Sequence, residues 1–124
     1  MILLIAGSRT FEDWPRFVAI LNLHIMKLLA DNPELNDIEL ISGGARGADG
    51  MAERYAKEFG FNFVCYPADW NTYKKSAGYR RNVDMGKACD AGVVFWDGKS
   101  KGTKHMIDIL AGMNKPCKVV KVDV

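Results

Sequence analysis

The chain has 124 residues, 48% of them hydrophobic, which is the size usual for one compact domain and enough apolar material for its core. Its 17 basic and 15 acidic residues nearly cancel, which excludes the global positive field of a nucleic-acid binder and confines any anion site to a local cluster. Cys65, Cys89 and Cys117 are odd in number and widely spaced, two of them within apolar runs, a pattern that suits buried thiols in a reducing compartment rather than metal ligands.

The apolar run Ile2 to Ala6 has no basic region before it and meets Gly7-Ser8-Arg9 at once, so it reads as a first strand, not as a signal peptide or membrane span. Further runs suited to buried strands lie at Ile38 to Ile41, Asn62 to Tyr66, Gly92 to Trp96 and Lys118 to Val122. Each gap but one carries a clear helical pattern. The first helix is expected from near Asp13 to Ala30, capped by Asp13 or Thr10, with Trp14, Val18, Leu21, Ile25, Leu28 and Leu29 on one stripe and Asn32-Pro33 ending it. The second has Ala48, Met51, Ala52, Tyr55, Ala56 and Phe59 at helical spacing and Gly60 to stop it. The third, Ala77 to Cys89, is weakly patterned and contains Gly86; the fourth runs from Thr103 to Met113 on a stripe of Met106, Ile107, Leu110 and Ala111. This alternation predicts an α/β, Rossmann-like fold: a single three-layer domain over residues 1–124 with a parallel five-stranded sheet. Right-handed crossovers in a chain that starts at the centre give the order 3-2-1-4-5.

In such a sheet the loops leaving the carboxyl ends of the strands share one edge, and ligands sit where the strand order reverses. Here those loops are Gly7-Ser8-Arg9-Thr10, Ser42-Gly43-Gly44-Ala45-Arg46-Gly47-Ala48-Asp49, Pro67-Ala68-Asp69-Trp70 and Asp97-Gly98-Lys99-Ser100-Lys101-Gly102-Thr103. The second joins strand to helix through Gly43, Gly44 and Gly47, which suits close approach of backbone N–H groups to an anion, phosphate above all. The same glycines would also serve a turn that simply packs tightly, and both readings stay open. Arg9 and Arg46 offer planar forks, and Ser8, Ser42, Ser100 and Thr103 offer hydroxyls. Asp49, Asp69 and Asp97 are the carboxylates near this rim, suited to acid–base work or to a ribose hydroxyl, while Asp49 equally suits the first turn of a helix. Trp70, Tyr73 and Trp96 are able to stack a base, although Trp96 also ends a strand and serves the core. His24 reads as structural and His105 as an exposed polar residue.

With these loops in view the chain resembles the SLOG superfamily (SMF/DprA-LOG), in particular its small YspA-like and YpsA-related branch. The resemblance runs through Gly7-Ser8-Arg9-Thr10-Phe11-x-Asp13, the Ser42 to Asp49 loop, Ala68-Asp69-Trp70, Ala77-Gly78-x-x-Arg81-Asn82 and Phe95-Trp96-Asp97-Gly98-x-Ser100-x-Gly102-Thr103. It implies a Rossmann-like fold and a pocket for nucleotides or nucleotide-derived ligands, in a family placed near NAD or ADP-ribose metabolism, nucleotide signalling or phage conflict. It also implies that Arg81 and Asn82 belong to the pocket. Enzymes of the LOG type, which cleave nucleoside monophosphates to base and ribose 5-phosphate, end their glycine motif Pro-Gly-Gly-x-Gly-Thr-x-x-Glu in a catalytic glutamate, and Met106 stands at that position here. A thioether carries no charge to stabilise an oxocarbenium ion, so that activity does not transfer. The DprA-like branch binds single-stranded DNA, which a near-neutral chain without a basic stripe is poorly built to attract.

The expectation is thus a cytosolic protein binding a nucleotide, nucleotide sugar or ADP-ribose-like ligand as a sensor or sequestering module. Its phosphates would meet Gly43, Gly44, Arg46, Gly102 and Thr103, with Ser8, Arg9, Arg81 and Asn82 closing the pocket and Gly7, Ser42, Asp69, Asp97, Gly98 and Ser100 around it. The alternative is a hydrolase of an N-glycosidic or phosphate-ester bond using Asp49 or Asp97, and the lowest-ranked reading is a single-stranded nucleic-acid-associated protein. No metal, cofactor or membrane partner is expected, and homo-oligomerisation is left open.

Overall fold

The computed structural model describes residues 1–123. In chain order they form β1 (Ile2–Gly7), α1 (Trp14–Asp31), β2 (Glu39–Ser42), α2 (Ala48–Phe59), β3 (Asn62–Cys65), α3 (Trp70–Tyr73), a 3-10 turn (Lys74–Ser76), α4 (Ala77–Ala88), β4 (Ala91–Trp96), α5 (Lys101–Gly112) and β5 (Cys117–Lys121). The fold is α/β, with one parallel sheet of five strands in the order β3-β2-β1-β4-β5. β1 lies at the centre because it is apolar on both faces: Leu3 and Ile5 point to one helix layer, Leu4 and Ala6 to the other. The first layer, from α1 and α2, buries Phe17, Leu21 and Tyr55 against Leu40, Val93 and Phe95. The second, from α4 and α5, buries Met85, Met106 and Leu110 against Ile41 and Val94.

Local chemistry sets the ends. Asp13 caps α1 by accepting the Arg16 N–H at 3.2 Å, and Gly60 at φ +78° ends α2 in the left-handed conformation. The apolar stripe of α1 centres on Phe17, Leu21 and Ile25, so Leu29, assigned to that stripe by spacing, is instead exposed. Phe59 of α2 is also exposed and lies against the Tyr55 ring, centroids 4.5 Å apart. β3 is an edge strand, so the run expected to be buried is mostly exposed, and of the cysteines Cys65 is exposed, Cys89 buried and Cys117 half-buried. The segment Trp70 to Ser76, read as loop at its start, forms α3 and the 3-10 turn. No helix among the described residues is long and apolar enough to cross a membrane.

Candidate functional site

At the carboxyl ends of β1 and β4 the chain leaves toward opposite faces of the sheet, and the two loops are tied where they part. The Ser8 N–H donates to the Phe95 carbonyl at 2.9 Å, and the buried Ser8 hydroxyl accepts the Asp97 N–H at 3.1 Å. Asp97 folds its own loop: Oδ1 accepts the Lys99 and Ser100 N–H groups, each at 2.8 Å. Those two bonds, Ser100 first, hold its carboxyl below the usual range. Ser100 in turn shares a 3.0 Å hydrogen bond with the Thr103 hydroxyl, and its carbonyl accepts the Trp96 indole N–H at 3.1 Å. The first turn of α5 is therefore fixed in place, with N–H groups that have no partner within the helix.

The β2–α2 loop is shaped by what it touches. Gly47, at φ +73°, starts α2, and a Cβ there would collide with the Ser8 carbonyl and lie 2.6 Å from that of Arg9. This contact lets the loops after β1 and β2 meet. At Gly43 the visitor is Arg81 from α4: Nη1 donates to the Gly43 carbonyl at 2.6 Å and the Tyr66 carbonyl at 3.4 Å, while Nε donates to Asn82 Oδ1 at 3.0 Å. Buried Asn82 continues the link, its Nδ2 donating to the Gly102 carbonyl at 3.3 Å and lying 3.3 Å from His105 Nδ1. His105 packs edge-on against Tyr79, with burial pulling its pKa down.

Asp49 sits beneath this loop, 7% exposed, with Oδ2 accepting the Ala45 N–H at 3.2 Å. Burial pushes its carboxyl pKa up, against the opposing pull of the Ser42 hydroxyl, the Ala45 N–H and the Arg81 and Arg9 guanidiniums. Ser42 is fully buried and its Oγ has no well-aligned partner of its own.

Above these residues lies a cleft of two joined lobes. The deeper, of about 250 Å³, has Ala6, Met85 and Met106 at its base and Asp49, Asn82 and Thr103 on its walls. The second, of about 340 Å³, lies between Gly43, Gly44 and Arg46 on one side and Pro67 and Ala68 on the other. Arg9, Ala45, Trp70 and Arg81 border both. Gly7, Ser100 and Gly102 also line the deeper lobe. Among the described residues lining either lobe, Asp49 is the one carboxylate.

Other residues singled out in the sequence lie elsewhere. Ser8 and Ser42 are buried behind the walls, Asp97 and Gly98 belong to the loop behind α5, and exposed Asp69 caps α3 through the Thr72 N–H at 3.1 Å. Trp96 is half-buried and borders a separate shallow hollow with Tyr79 and His105. Sequence reasoning missed Tyr79, Lys75 and Met85. At the lip the Trp70 ring lies over Gly78 of α4, where a Cβ would stand 3.4 Å away, in ordinary contact. Met106 is 1% exposed and belongs to the core, its thioether in the place where a catalytic carboxylate was sought.

The model of the YspA, cpYpsA-related SLOG family matches residues 1–73, more than half the chain, from β1 through α3. The Gene 61 protein of Mycobacterium phage D29 is 36% identical over 110 residues, which cover 82% of each chain. No solved structure matches. On the family match and the relative together, the chain belongs to the YspA, cpYpsA-related SLOG family.

Proposed function

We propose that the cleft binds a phosphorylated nucleoside derivative bridged by a diphosphate, such as a nucleotide sugar or an ADP-ribose-like molecule, and that the protein is a sensor or sequestering module for it. The observation that carries this reading is the position of Arg9 and Arg81, two guanidiniums bordering both lobes at the point where they join. A ligand spanning the lobes would place its most charged part there, where the Arg9 fork binds phosphate oxygens in pairs and Arg81, its Nη1 and Nε engaged by Gly43, Tyr66 and Asn82, offers Nη2 and its charge. Arg46 and the glycine loop then serve one end and the first turn of α5 the other, while the apolar base at Met85 and Met106 accepts an uncharged ring or ribose. Family membership favours a nucleotide-type ligand in the same direction. The test is calorimetry and thermal unfolding across nucleotides, nucleotide sugars and ADP-ribose. A ligand at ~100 times its dissociation constant adds about 2.7 kcal/mol to stability. A full panel with neither heat nor thermal shift overturns the reading.

One observation favours a second reading, hydrolysis of an N-glycosidic or phosphate-ester bond. Asp49 is a carboxylate with a raised pKa lining the deeper lobe, the kind of group that acts as a general acid. Asp97, by contrast, is committed to its own loop. With Met106 in the glutamate position, little or no free base is expected from AMP. Chromatographic detection of many turnovers, lost in Asp49→Asn, would replace the binding module with an enzyme.

A further inference from the structure

The outward face of α1 is apolar where a solvent-facing helix is ordinarily polar. Ala19, Leu23, Met26 and Ala30 follow one another at steps of four, three and four, the spacing of a seam between two helices, and all lie opposite the buried Phe17, Leu21 and Ile25. Leu23 is 69% exposed and Met26 65% exposed. The seam reads the same in both directions as small, large, large, small. We propose that it packs against α1 of a second copy of this chain, antiparallel, about a two-fold axis between His24 and Ile25.

In that register Ala19 meets Ala30 of the partner subunit and Leu23 meets Met26 of the partner subunit, so small residues admit close approach at both ends while large ones fill the middle. Charge selects the direction. Exposed Arg16 stands near one end of the helix, held by its Nη2 bond to the Lys121 carbonyl at 3.0 Å, and exposed Asp31 and Glu34 stand at and beyond the other. Antiparallel pairing brings Arg16 beside Asp31 and Glu34 of the partner subunit and Lys27 beside the partner's Asn22. A parallel pair would set Arg16 on Arg16 and Lys27 on Lys27, which repel. An 18-residue helix is about 27 Å long, and such a strip is smaller than the ~800 Å² per partner of a stable interface, so the dimer is weak and concentration-dependent.

Sedimentation of the whole chain from about 1 to 300 μM tests this, spanning dissociation constants in the micromolar range. The weight-average mass rises from 13.8 kDa toward twice that value. Leu23→Glu with Met26→Glu, both at exposed positions, weakens association ~100-fold or more while leaving thermal unfolding of dilute protein unchanged. Arg16→Glu weakens it less, and adding Asp31→Arg and Glu34→Arg in the same chain restores it. On a Cys65→Ser background, oxidation joins Ala19→Cys to Ala30→Cys only when the two are mixed. A chain that stays monomeric throughout, which would leave the face to a different partner, overturns the proposal. So does a dimer indifferent to Leu23→Glu with Met26→Glu, or Ala19→Cys linking to itself.

Discussion

Arg81 Nη1 donates to the Gly43 carbonyl at 2.6 Å, and a Cβ on residue 43 would fall on that same guanidinium. The pair therefore works as a lock between α4 and the β2–α2 loop, and the glycine is required by the arginine. Gly43→Ala should push Arg81 off the carbonyls of Gly43 and Tyr66, costing about 1–3 kcal/mol in overpacking and lost charged hydrogen bonds. Urea unfolding measures the loss. Wild-type stability together with wild-type ligand affinity would show that the lock is dispensable.

Arg46 makes the opposite prediction. It is exposed at the lip of the second lobe, so its removal should leave folding alone and weaken ligand binding by about 1.5–3 kcal/mol, the worth of a charged hydrogen bond. Calorimetry and thermal unfolding of Arg46→Ala separate the two effects. An unchanged affinity in a less stable protein would make Arg46 structural.

Asp49 gives a pH signature. Its native pKa lies above the unfolded value, chiefly through burial, so its ionised form destabilises the fold above the native pKa. The penalty shrinks as pH falls through that pKa and is gone below the unfolded value of about 3.9. Asp49→Asn should therefore raise the melting temperature at pH 8 and converge with wild type near pH 4. A variant less stable than wild type at pH 8 would mean that the carboxylate's pairing with Ala45, Arg81 and Arg9 outweighs its burial.

Lys115 holds the far end of α4. Its ammonium donates to the carbonyls of Gly86 at 2.6 Å, Cys89 at 2.7 Å and Lys87 at 3.1 Å, where a helix C-terminus favours positive charge. Lys115→Met should cost about 1–3 kcal/mol in denaturant unfolding. An effect within error would indicate that water satisfies those carbonyls equally well.

The strand order was readable in the sequence because β1 is apolar on both faces and the crossovers have one hand, so the convergence of the loops followed from topology. Of the two arginines that join the lobes, Arg9 was marked by its place in the loop after β1, whereas Arg81 carries no periodic signal and only resemblance pointed to it. Its role depends on a contact with Gly43 across 38 positions of sequence. The glycines themselves signalled close approach correctly, but at Gly43 and Gly47 what comes close is protein, Arg81 in one case and the Ser8 and Arg9 carbonyls in the other. α3 is too short, at 4 residues, to show a helical period. Leu29 misled because a helix this apolar has more than one stripe, and a position's burial is decided by which stripe meets the sheet.

The edge position of β3 has a practical consequence. The Cys65 thiol rests against the glycine loop, its sulfur 2.6 Å from where a Cβ on Gly44 would stand, and it is the exposed one of the chain's three thiols. Burial of its sulfur, aided by the negative charges of Glu53 and Asp49, pushes its pKa up, so it alkylates slowly at neutral pH while remaining within reach of reagent. The unmodified protein thus carries its own chemical reporter against Gly44, a residue of the second lobe's wall: the rate at which an alkylating agent adds mass at Cys65 reads how closely the glycine loop covers that sulfur.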